Sequence, residues 1–330
     1  MMKKQAARPT SLTFWKAYWI TMRPYLLFVS AVAGMAGFAA GPQRGIGMTI
    51  GVFIVFFLSY GFGQALTDCF QMDTDSISSP YRPLVQGLIS RVNVLLVSLA
   101  GLFGGCVILF LLNPLTLLFT LLCMIGLATY SYFKRRWWGG PFYNAWIVAL
   151  LPFIGKLAAE GTDPVVSFSF ENSVLSFIML SVFFSYANFV LMGYFKDITA
   201  DRESGYNTFV VAYGWRKAAV GSDIFALLSL IFSGWGISIV LSKEALSLWS
   251  LISVLLYFFA LVIIVLAQVG IHRTRDEKEA YRPITHVVRG FILLHLAEIC
   301  SIRPEWIPLL ALFFIGFELV LKKRPEKRQV

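Results

Sequence analysis

The sequence predicts an all-helical protein that crosses a membrane many times. Of its 330 residues, 58% are hydrophobic and only 14% are charged, and the mean hydropathy is +0.72. The hydrophobic residues come in runs of about twenty, the length that a helix needs to cross roughly 30 Å of hydrocarbon. These runs recur along the whole chain, so we expect a transmembrane helical bundle without a separate soluble domain.

Ten candidate spans follow one another, each bounded by polar or charged residues. They cover residues 19–41, 46–67, 92–112, 114–133, 142–159, 173–195, 217–241, 247–271, 284–300 and 305–321. The last two are short and closely spaced, so we expect nine core helices with a possible tenth. No convincing cleavage site follows the first run, which is therefore interpreted as a retained helix. The chain accordingly divides into an N-terminal segment (1–18), a transmembrane domain (19–300) and a final segment (301–330) with the possible extra helix and a basic tail.

Lys and Arg concentrate in alternate loops, as they do in the cytoplasmic loops of membrane proteins. Twenty-two of the 28 lie at the two termini and in alternate loops, whereas the opposite loops hold only Arg44, Lys243 and Arg303. We therefore expect both termini to be cytoplasmic. The net charge of +10 fits this topology and an attraction to anionic membrane lipid, so no nucleic-acid partner is expected.

The first acidic loop follows the second span and reads TDCFQMDTD at residues 67–75. If the helix continues through this loop, Asp68, Gln71 and Asp75 stand at i, i+3 and i+7 and share one face. Asp73 then points well away from Asp68. The loop would thus place oxygen atoms at three levels on one side of a helix.

The second acidic loop, KDITADR at residues 196–202, ends the sixth span at the same predicted surface. Asp197 and Asp201 are i, i+4 neighbours there. Crowded carboxylates repel one another, and a hard divalent cation relieves that repulsion. Because Mg²⁺ typically takes one or two carboxylates plus phosphate oxygens, the two loops could hold a diphosphate between metal ions.

Basic residues accompany both loops and could bind the phosphate oxygens directly. These candidates are Arg82, Lys134, Arg135, Lys196 and Arg202. The enrichment of Lys and Arg on the cytoplasmic side would by itself also place basic residues here.

The motifs resemble those of the UbiA superfamily of intramembrane prenyltransferases. That family's first motif is usually NDxxDxxxD, often followed by Pro-Tyr-Arg-Pro. Here TDCFQMDTD is followed by PYRP at residues 80–83. Two further family segments resemble YSYFKR at 130–135 and KDITADR at 196–202. The resemblance spans about residues 20–300. Thr67 and Gln71 depart from it, because the family usually has Asn and Asp there.

The resemblance implies nine transmembrane helices around a central cavity that opens sideways to lipid. It also implies a Mg²⁺-dependent enzyme in which an allylic diphosphate ionises and a lipophilic, possibly aromatic, acceptor captures the prenyl cation. Asp68, Asp75, Asp197 and Asp201 would hold the metal, and these four residues and Lys134 would be catalytic. The residues expected to bind the substrates are Arg23, Gln71, Tyr130, Asn144 and Tyr194.

Several alternatives remain open at this point. Arg23 and Arg289 lie inside predicted spans, where charge is costly, so both are candidates for the cavity, although Arg23 could also extend to the membrane interface. A terpene cyclase on the same scaffold would capture the cation internally. A transporter or lipid-binding scaffold would use intramembrane Arg and Lys as ligand contacts.

Overall fold

The computed structural model describes residues 6–162, 173–243, 247–324 and 326, and every extended regular element in these ranges is a helix. Nine of the described helices are long and apolar enough to cross a membrane, and a bent pair makes ten if it counts as one span. The α-helices are α1 (Leu12–Met22), α2 (Leu27–Ala39), α3 (Ile46–Asp68), α4 (Met72–Ser78), α5 (Arg91–Leu112), α6 (Thr116–Lys134), α7 (Gly139–Glu160), α8 (Ser173–Gly193), α9 (Ile198–Glu203), α10 (Phe209–Leu241), α11 (Leu248–Arg273), α12 (Tyr281–Ile302) and α13 (Ile307–Lys322). The predicted all-helical, multi-pass fold is confirmed.

The first predicted span is wrong as a single helix, because the chain bends by 51° between α1 and α2. Pro24 lacks a backbone amide hydrogen and disfavours helical geometry in the residue before it. Arg23 adopts a left-handed conformation at the bend, with φ 53° and ψ 72°. The break turns the Arg23 side chain toward the end of α3, where it contacts Asp68.

The second departure from the predicted spans occurs in α10. This helix begins at Phe209, and its backbone is interrupted at Gly214, where φ is 78°. A positive φ is accessible to Gly because it has no Cβ atom. The predicted span 217–241 is therefore the part of α10 that follows the break.

The centre of the bundle is formed by α2 and α12. Every residue of α2 is buried, and so are most residues of α12. On the outside, α13 packs over α2 through Phe28, whose ring centroid lies 4.9 Å from that of Phe313 and 5.7 Å from that of Phe317. Arg289 of α12 donates a hydrogen bond of 2.9 Å to Glu318 of α13. Arg289 thus joins two helices and does not line the cavity described below.

The ends of α3, α6 and α8 meet at one end of the bundle. The short helices α4 and α9 pack against each other there. Asp75 lies in α4 and Asp201 in α9, and Asp197 directly precedes α9. We call this region, with Asp68, Asp75, Asp197 and Asp201, the acidic end of the bundle.

Candidate active site

The first acidic loop is not a continuous helix, which corrects the geometry expected from the sequence. The helix α3 ends at Asp68, and α4 starts at Met72 after a short turn. Asp68, Gln71 and Asp75 are nevertheless all buried. The turn and Arg82, which contacts both carboxylates, bring Asp68 and Asp75 together instead of a common helix face. Gln71 contacts Lys134.

Asp68 is surrounded by hydrogen-bond donors from three parts of the chain. One nitrogen of Arg23, Nη2, donates to both carboxylate oxygens at 2.9 and 3.2 Å. Gln64 Nε2 donates to Oδ1 at 2.7 Å, and Arg82 Nη1 lies 3.7 Å from the same oxygen. These donors cover Asp68, so it does not itself line the cavity.

Asp75 forms a buried salt bridge with Arg82. Burial raises the pKa of Asp75, and the positive charge of Arg82 opposes this rise. The Arg82 side chain is 10% exposed, and its Nε atom is buried without a hydrogen-bond partner. Arg82 therefore holds two carboxylates and keeps one further donor for a ligand.

The uncharged residue of the first motif, Gln71, connects the loop to α6. Its Nε2 donates to Ser131 Oγ at 3.2 Å, and its Oε1 accepts from Lys134 Nζ at 3.4 Å. Asp73 does not take the place of the missing carboxylate. It is 45% exposed, pairs with Arg135 at 3.5 Å and accepts a hydrogen bond from Tyr206.

The two carboxylates of the second loop have different surroundings. Asp197 lines the cavity and forms no side-chain hydrogen bond or salt bridge with another described residue. Asp201 is fully buried; Lys134 Nζ lies 3.4 Å from its Oδ1, and Thr208 donates to its Oδ2 at 3.2 Å. Burial raises the pKa of Asp201 to about 6, and the charge of Lys134 limits the rise.

Tyrosine hydroxyl groups pair across the cavity beneath the charged residues. The hydroxyls of Tyr130 and Tyr194 lie 3.0 Å apart and join α6 to the 3₁₀ turn directly after α8. Those of Tyr60 and Tyr186 lie 3.2 Å apart and join α3 to α8. Tyr60 and Tyr186 were not among the residues predicted from the sequence. Tyr60 lies eight residues, about two helical turns, before Asp68, and Tyr186 lies the same distance before Tyr194, so this spacing could have indicated them.

A cavity of about 460 Å³ extends from the acidic end into the bundle. Arg23, Arg82, Lys134 and Lys196 line it near the acidic end, together with Asp75 and Asp197. Beyond the tyrosines its walls are mainly aliphatic, with residues from α3, α5, α6 and α7. This combination suits a ligand with an anionic head and a long apolar tail.

The structure brings most of the predicted site residues to this cavity. Its lining includes Arg23, Gln71, Asp75, Arg82, Tyr130, Lys134, Asn144, Tyr194, Lys196 and Asp197. Asp68 and Asp201 are each joined to a lining Arg or Lys. Arg135 and Arg202 are exposed and outside the lining, so the structure does not place them against a ligand in the cavity.

The oxygen atoms of this site fit a cation that shares its ligands with phosphate. Within the described ranges, no three His, Cys, Asp or Glu side chains are close enough to hold a metal by themselves. Oδ1 of Asp201 is buried and has only the long contact of 3.4 Å with Lys134, and Asp197 has no salt bridge with another described residue. Mg²⁺ prefers such oxygen ligands and completes its coordination with phosphate oxygens and water.

A sequence model of the UbiA prenyltransferase family matches residues 27–292. The chain belongs to the UbiA prenyltransferase family. It is therefore a prenyltransferase of the membrane, and the predicted family is confirmed. The match includes both acidic loops and ends within α12, so α13 lies outside it.

Similar proteins of the family are known from archaea. The chain is 25% identical over 274 residues to the digeranylgeranylglyceryl phosphate synthase of Thermococcus kodakarensis. The aligned residues cover 81% of this chain and 91% of that protein. The corresponding protein of Pyrococcus abyssi is 26% identical over 228 residues, or 66% of this chain and 76% of that protein. These named transferases do not favour the terpene-cyclase alternative.

Solved structures of UbiA homologs share the fold. The apo homolog from Aeropyrum pernix K1 has a TM-score of 0.68 at 18% identity, covering 82% of this chain and 95% of that one. The homolog from Archaeoglobus fulgidus bound to DMAPP and Mg²⁺ has a TM-score of 0.61 at 18% identity, and the likeness covers 86% of this chain and 98% of that one. At this identity the likeness establishes the fold of the bundle.

Proposed function

We propose that this protein transfers the prenyl group of an isoprenyl diphosphate to a membrane-lipid acceptor with the help of Mg²⁺. The observation that carries the proposal is the grouping of four carboxylates and four Arg or Lys side chains at the acidic end, where Asp75, Asp197 and the four basic side chains line one apolar cavity. Asp68, Asp75, Asp197 and Asp201 would hold Mg²⁺. Bound Mg²⁺ would neutralise charge on the diphosphate and so favour ionisation of the allylic carbon–oxygen bond.

The salt bridges indicate how the protein side chains would contribute. Arg23, Arg82 and Lys134 each contact a carboxylate that would turn toward the metal. Arg82 and Lys134 line the cavity, so they could then donate hydrogen bonds to diphosphate oxygens. The rings of Tyr130 and Tyr194 would face the allylic cation and keep water away from it.

The acceptor that we propose is a lipid with an anionic phosphate head. The curated relatives are named for a glyceryl phosphate product. In this chain, Lys196 lines the cavity, and its side chain forms no hydrogen bond or salt bridge with another described residue. It is therefore available for a second anion beside the diphosphate. An aromatic acceptor, also expected from the sequence, is the alternative for the test below.

We further propose that the acidic end faces the cytoplasm. This orientation rests on the distribution of Lys and Arg along the sequence. A water-soluble head group would then enter from the cytoplasmic side, while both apolar chains stay in the bilayer. Ser76 is an exposed residue of α4, so Ser76→Cys can be labelled from either side of sealed vesicles. Labelling only from the side opposite the cytoplasm would contradict this orientation.

Purified protein in lipid nanodiscs, incubated with Mg²⁺ and geranylgeranyl diphosphate, tests the function. We expect a prenylated lipid by mass spectrometry when a prenylated glyceryl phosphate is supplied, and none with an aromatic acid. Lys196→Gln should raise KM for this acceptor, whereas Arg202→Gln, outside the cavity, should leave it unchanged. A cyclic hydrocarbon formed without acceptor would establish cyclisation instead. If a panel of prenyl diphosphates gives neither a product nor released diphosphate, the enzyme assignment is refuted.

A further inference from the structure

A buried polar network joins α8 to α12 outside the candidate active site. Ser185 Oγ lies 3.0 Å from Nε2 of His295, and Nδ1 of His295 lies 2.7 Å from Oε2 of Glu298. All three side chains are buried, and none of them lines the cavity. Ionisable residues inside a membrane span are costly and usually have a functional reason. We therefore expect this network to do more than fill space between two helices.

The order of the hydrogen bonds is that of a Ser-His-Glu catalytic triad, but the surroundings do not suit a nucleophile. Ser185 is 4% exposed and His295 is fully buried. Ser185 does not line the cavity, so a ligand in the cavity cannot approach its hydroxyl group. The network therefore connects two helices and does not attack a substrate.

Aromatic rings connect this network to the cavity. The Phe291 ring of α12 packs edge-to-face on the His295 ring, with centroids 4.5 Å apart, and its centroid lies 6.1 Å from that of Tyr186. Tyr186 follows Ser185 on α8, is buried and lines the cavity. Successive residues of a helix point about 100° apart. The network thus holds α8 at Ser185 while the next residue, Tyr186, points into the cavity.

Tyr186 lies beside the apolar part of the cavity and not beside the acidic end. It precedes Tyr194 by eight residues, and a rise of 1.5 Å per residue places it about 12 Å deeper. Three main-chain bonds span about 3.5 Å in an extended peptide, so an isoprene unit, with four such bonds, spans roughly 4.7 Å. Because Tyr194 would face the first isoprene unit of a donor, the third unit would pass Tyr186, whose hydroxyl pairs with that of Tyr60.

We propose that His295 and Glu298 are positioning residues that hold Tyr186 against the third isoprene unit of the donor. This inference rests on the proposed function. His295 fixes α8 through Ser185 and supports the Phe291 ring behind Tyr186. Glu298 orients the imidazole, because the hydrogen bond at one ring nitrogen sets the role of the other. Without this pair, Tyr186 can turn away from the chain, whereas the diphosphate site at the acidic end is unaffected.

The test variant replaces both members of the pair, His295→Leu/Glu298→Leu. A single replacement would leave a buried polar partner unpaired, whereas replacing a buried pair by apolar residues is often neutral or stabilising. Gln268→Leu is the matched control. It breaks a second buried network on α8, in which Gln268 Nε2 donates to Asn188 Oδ1 at 3.3 Å and Ser222 Oγ donates to Gln268 Oε1 at 2.9 Å. No member of that network lines the cavity.

Two constants distinguish binding of the donor chain from binding of its head. KM for geranylgeranyl diphosphate depends on both, whereas Ki for inorganic diphosphate, a competitive inhibitor in the presence of Mg²⁺, depends on the head alone. The double variant should raise KM at least about tenfold, the scale on which a pocket distinguishes apolar groups, and leave Ki unchanged. Gln268→Leu should leave both constants unchanged. In a Tyr186→Leu background the double variant should cause no further rise of KM, because both changes remove the same contact.

The outcomes separate the two proposals. If wild type transfers no prenyl group, the proposed function fails. If wild type is active but the double variant keeps its KM, or if KM and Ki rise by the same factor, the positioning role is refuted while the transferase activity stands. An equal rise of KM in Gln268→Leu would refute it as well. Phe291→Leu removes the ring between His295 and Tyr186, so it should also raise KM alone and serves if the double variant does not fold.

Discussion

Replacement of Arg82 by Met should destabilise the protein much more than replacement of Arg135 by Met. Arg82 is buried between Asp75 and Asp68. Removing it leaves Asp68 with Arg23 and Gln64, but Asp75 loses its only salt bridge among the described residues. Breaking a buried pair from one side costs about 3–5 kcal/mol, because the remaining charge stays desolvated.

The Arg135 variant is the matched control. Its salt bridge with Asp73 spans 3.5 Å, and the two side chains are 54% and 45% exposed. Pairs in contact with water contribute about 0–1 kcal/mol. Free energies of unfolding measured by reversible denaturation in mixed micelles, without Mg²⁺, should therefore differ by several kcal/mol between the variants. In Arg82→Met/Asp75→Asn, most of the loss should be recovered, because no unpaired carboxylate remains.

The pH dependence gives this prediction a second readout. Burial already raises the pKa of Asp75, and Arg82 opposes the rise, so the pKa of Asp75 should rise further in the variant. The native state then binds a proton that the unfolded state releases, and stability increases as pH falls from above the raised pKa toward the ordinary pKa of Asp. The deficit of Arg82→Met relative to wild type should thus be smaller at pH 5 than at pH 8. Equal losses for both variants, or a deficit independent of pH, would refute the reasoning.

Three further predictions concern the metal. Burial raises the pKa of Asp201 to about 6, and Mg²⁺ needs the ionised carboxylate. The Mg²⁺ concentration for half-maximal activity should therefore rise as pH falls from 7 to 5. An unchanged concentration in Mg²⁺ titrations would show that Asp201 is not a metal ligand. Gln71→Asp should lower that concentration at pH 7 by adding a carboxylate near Lys134, and a higher requirement would show that the new charge only binds Lys134. Asp197→Asn should reduce kcat about 100-fold or more, on the scale of losing a group that stabilises developing charge, whereas Asp73→Asn, outside the cavity, should stay within about threefold in the same assay; similar losses would mean that the cavity does not define the site.

The spans could be predicted well because length and apolar composition alone decide whether a segment can enter a bilayer. Most predicted ends agree with the structure to within three residues. The errors occur where local backbone chemistry overrides hydropathy. Pro24 breaks the first span, and Gly214 allows the positive φ that interrupts α10.

The site could be predicted by residue type but not by geometry. The i, i+3, i+7 argument required a continuous helix after Asp68, yet the helix ends there. The turn and Arg82 together bring Asp68 and Asp75 close, and neither effect follows from helical periodicity. Tyr60 and Tyr186 show the same limit, because their pairing depends on which faces of α3 and α8 meet across the cavity.

The salt bridges explain why so many charges are tolerated beside an apolar cavity. Arg23, Arg82, Lys134 and Lys196 balance the charges of Asp68, Asp75, Asp197 and Asp201, so the acidic end as a whole is close to neutral. A divalent cation alone would add positive charge beside four Arg or Lys side chains, and a diphosphate alone would add negative charge beside four carboxylates. Both together change the net charge much less, while Asp68, Asp75 and Asp201 each exchange an Arg or Lys for the metal and release a donor for the diphosphate. The same pairing that stabilises the fold therefore favours binding of the metal and the diphosphate as a unit.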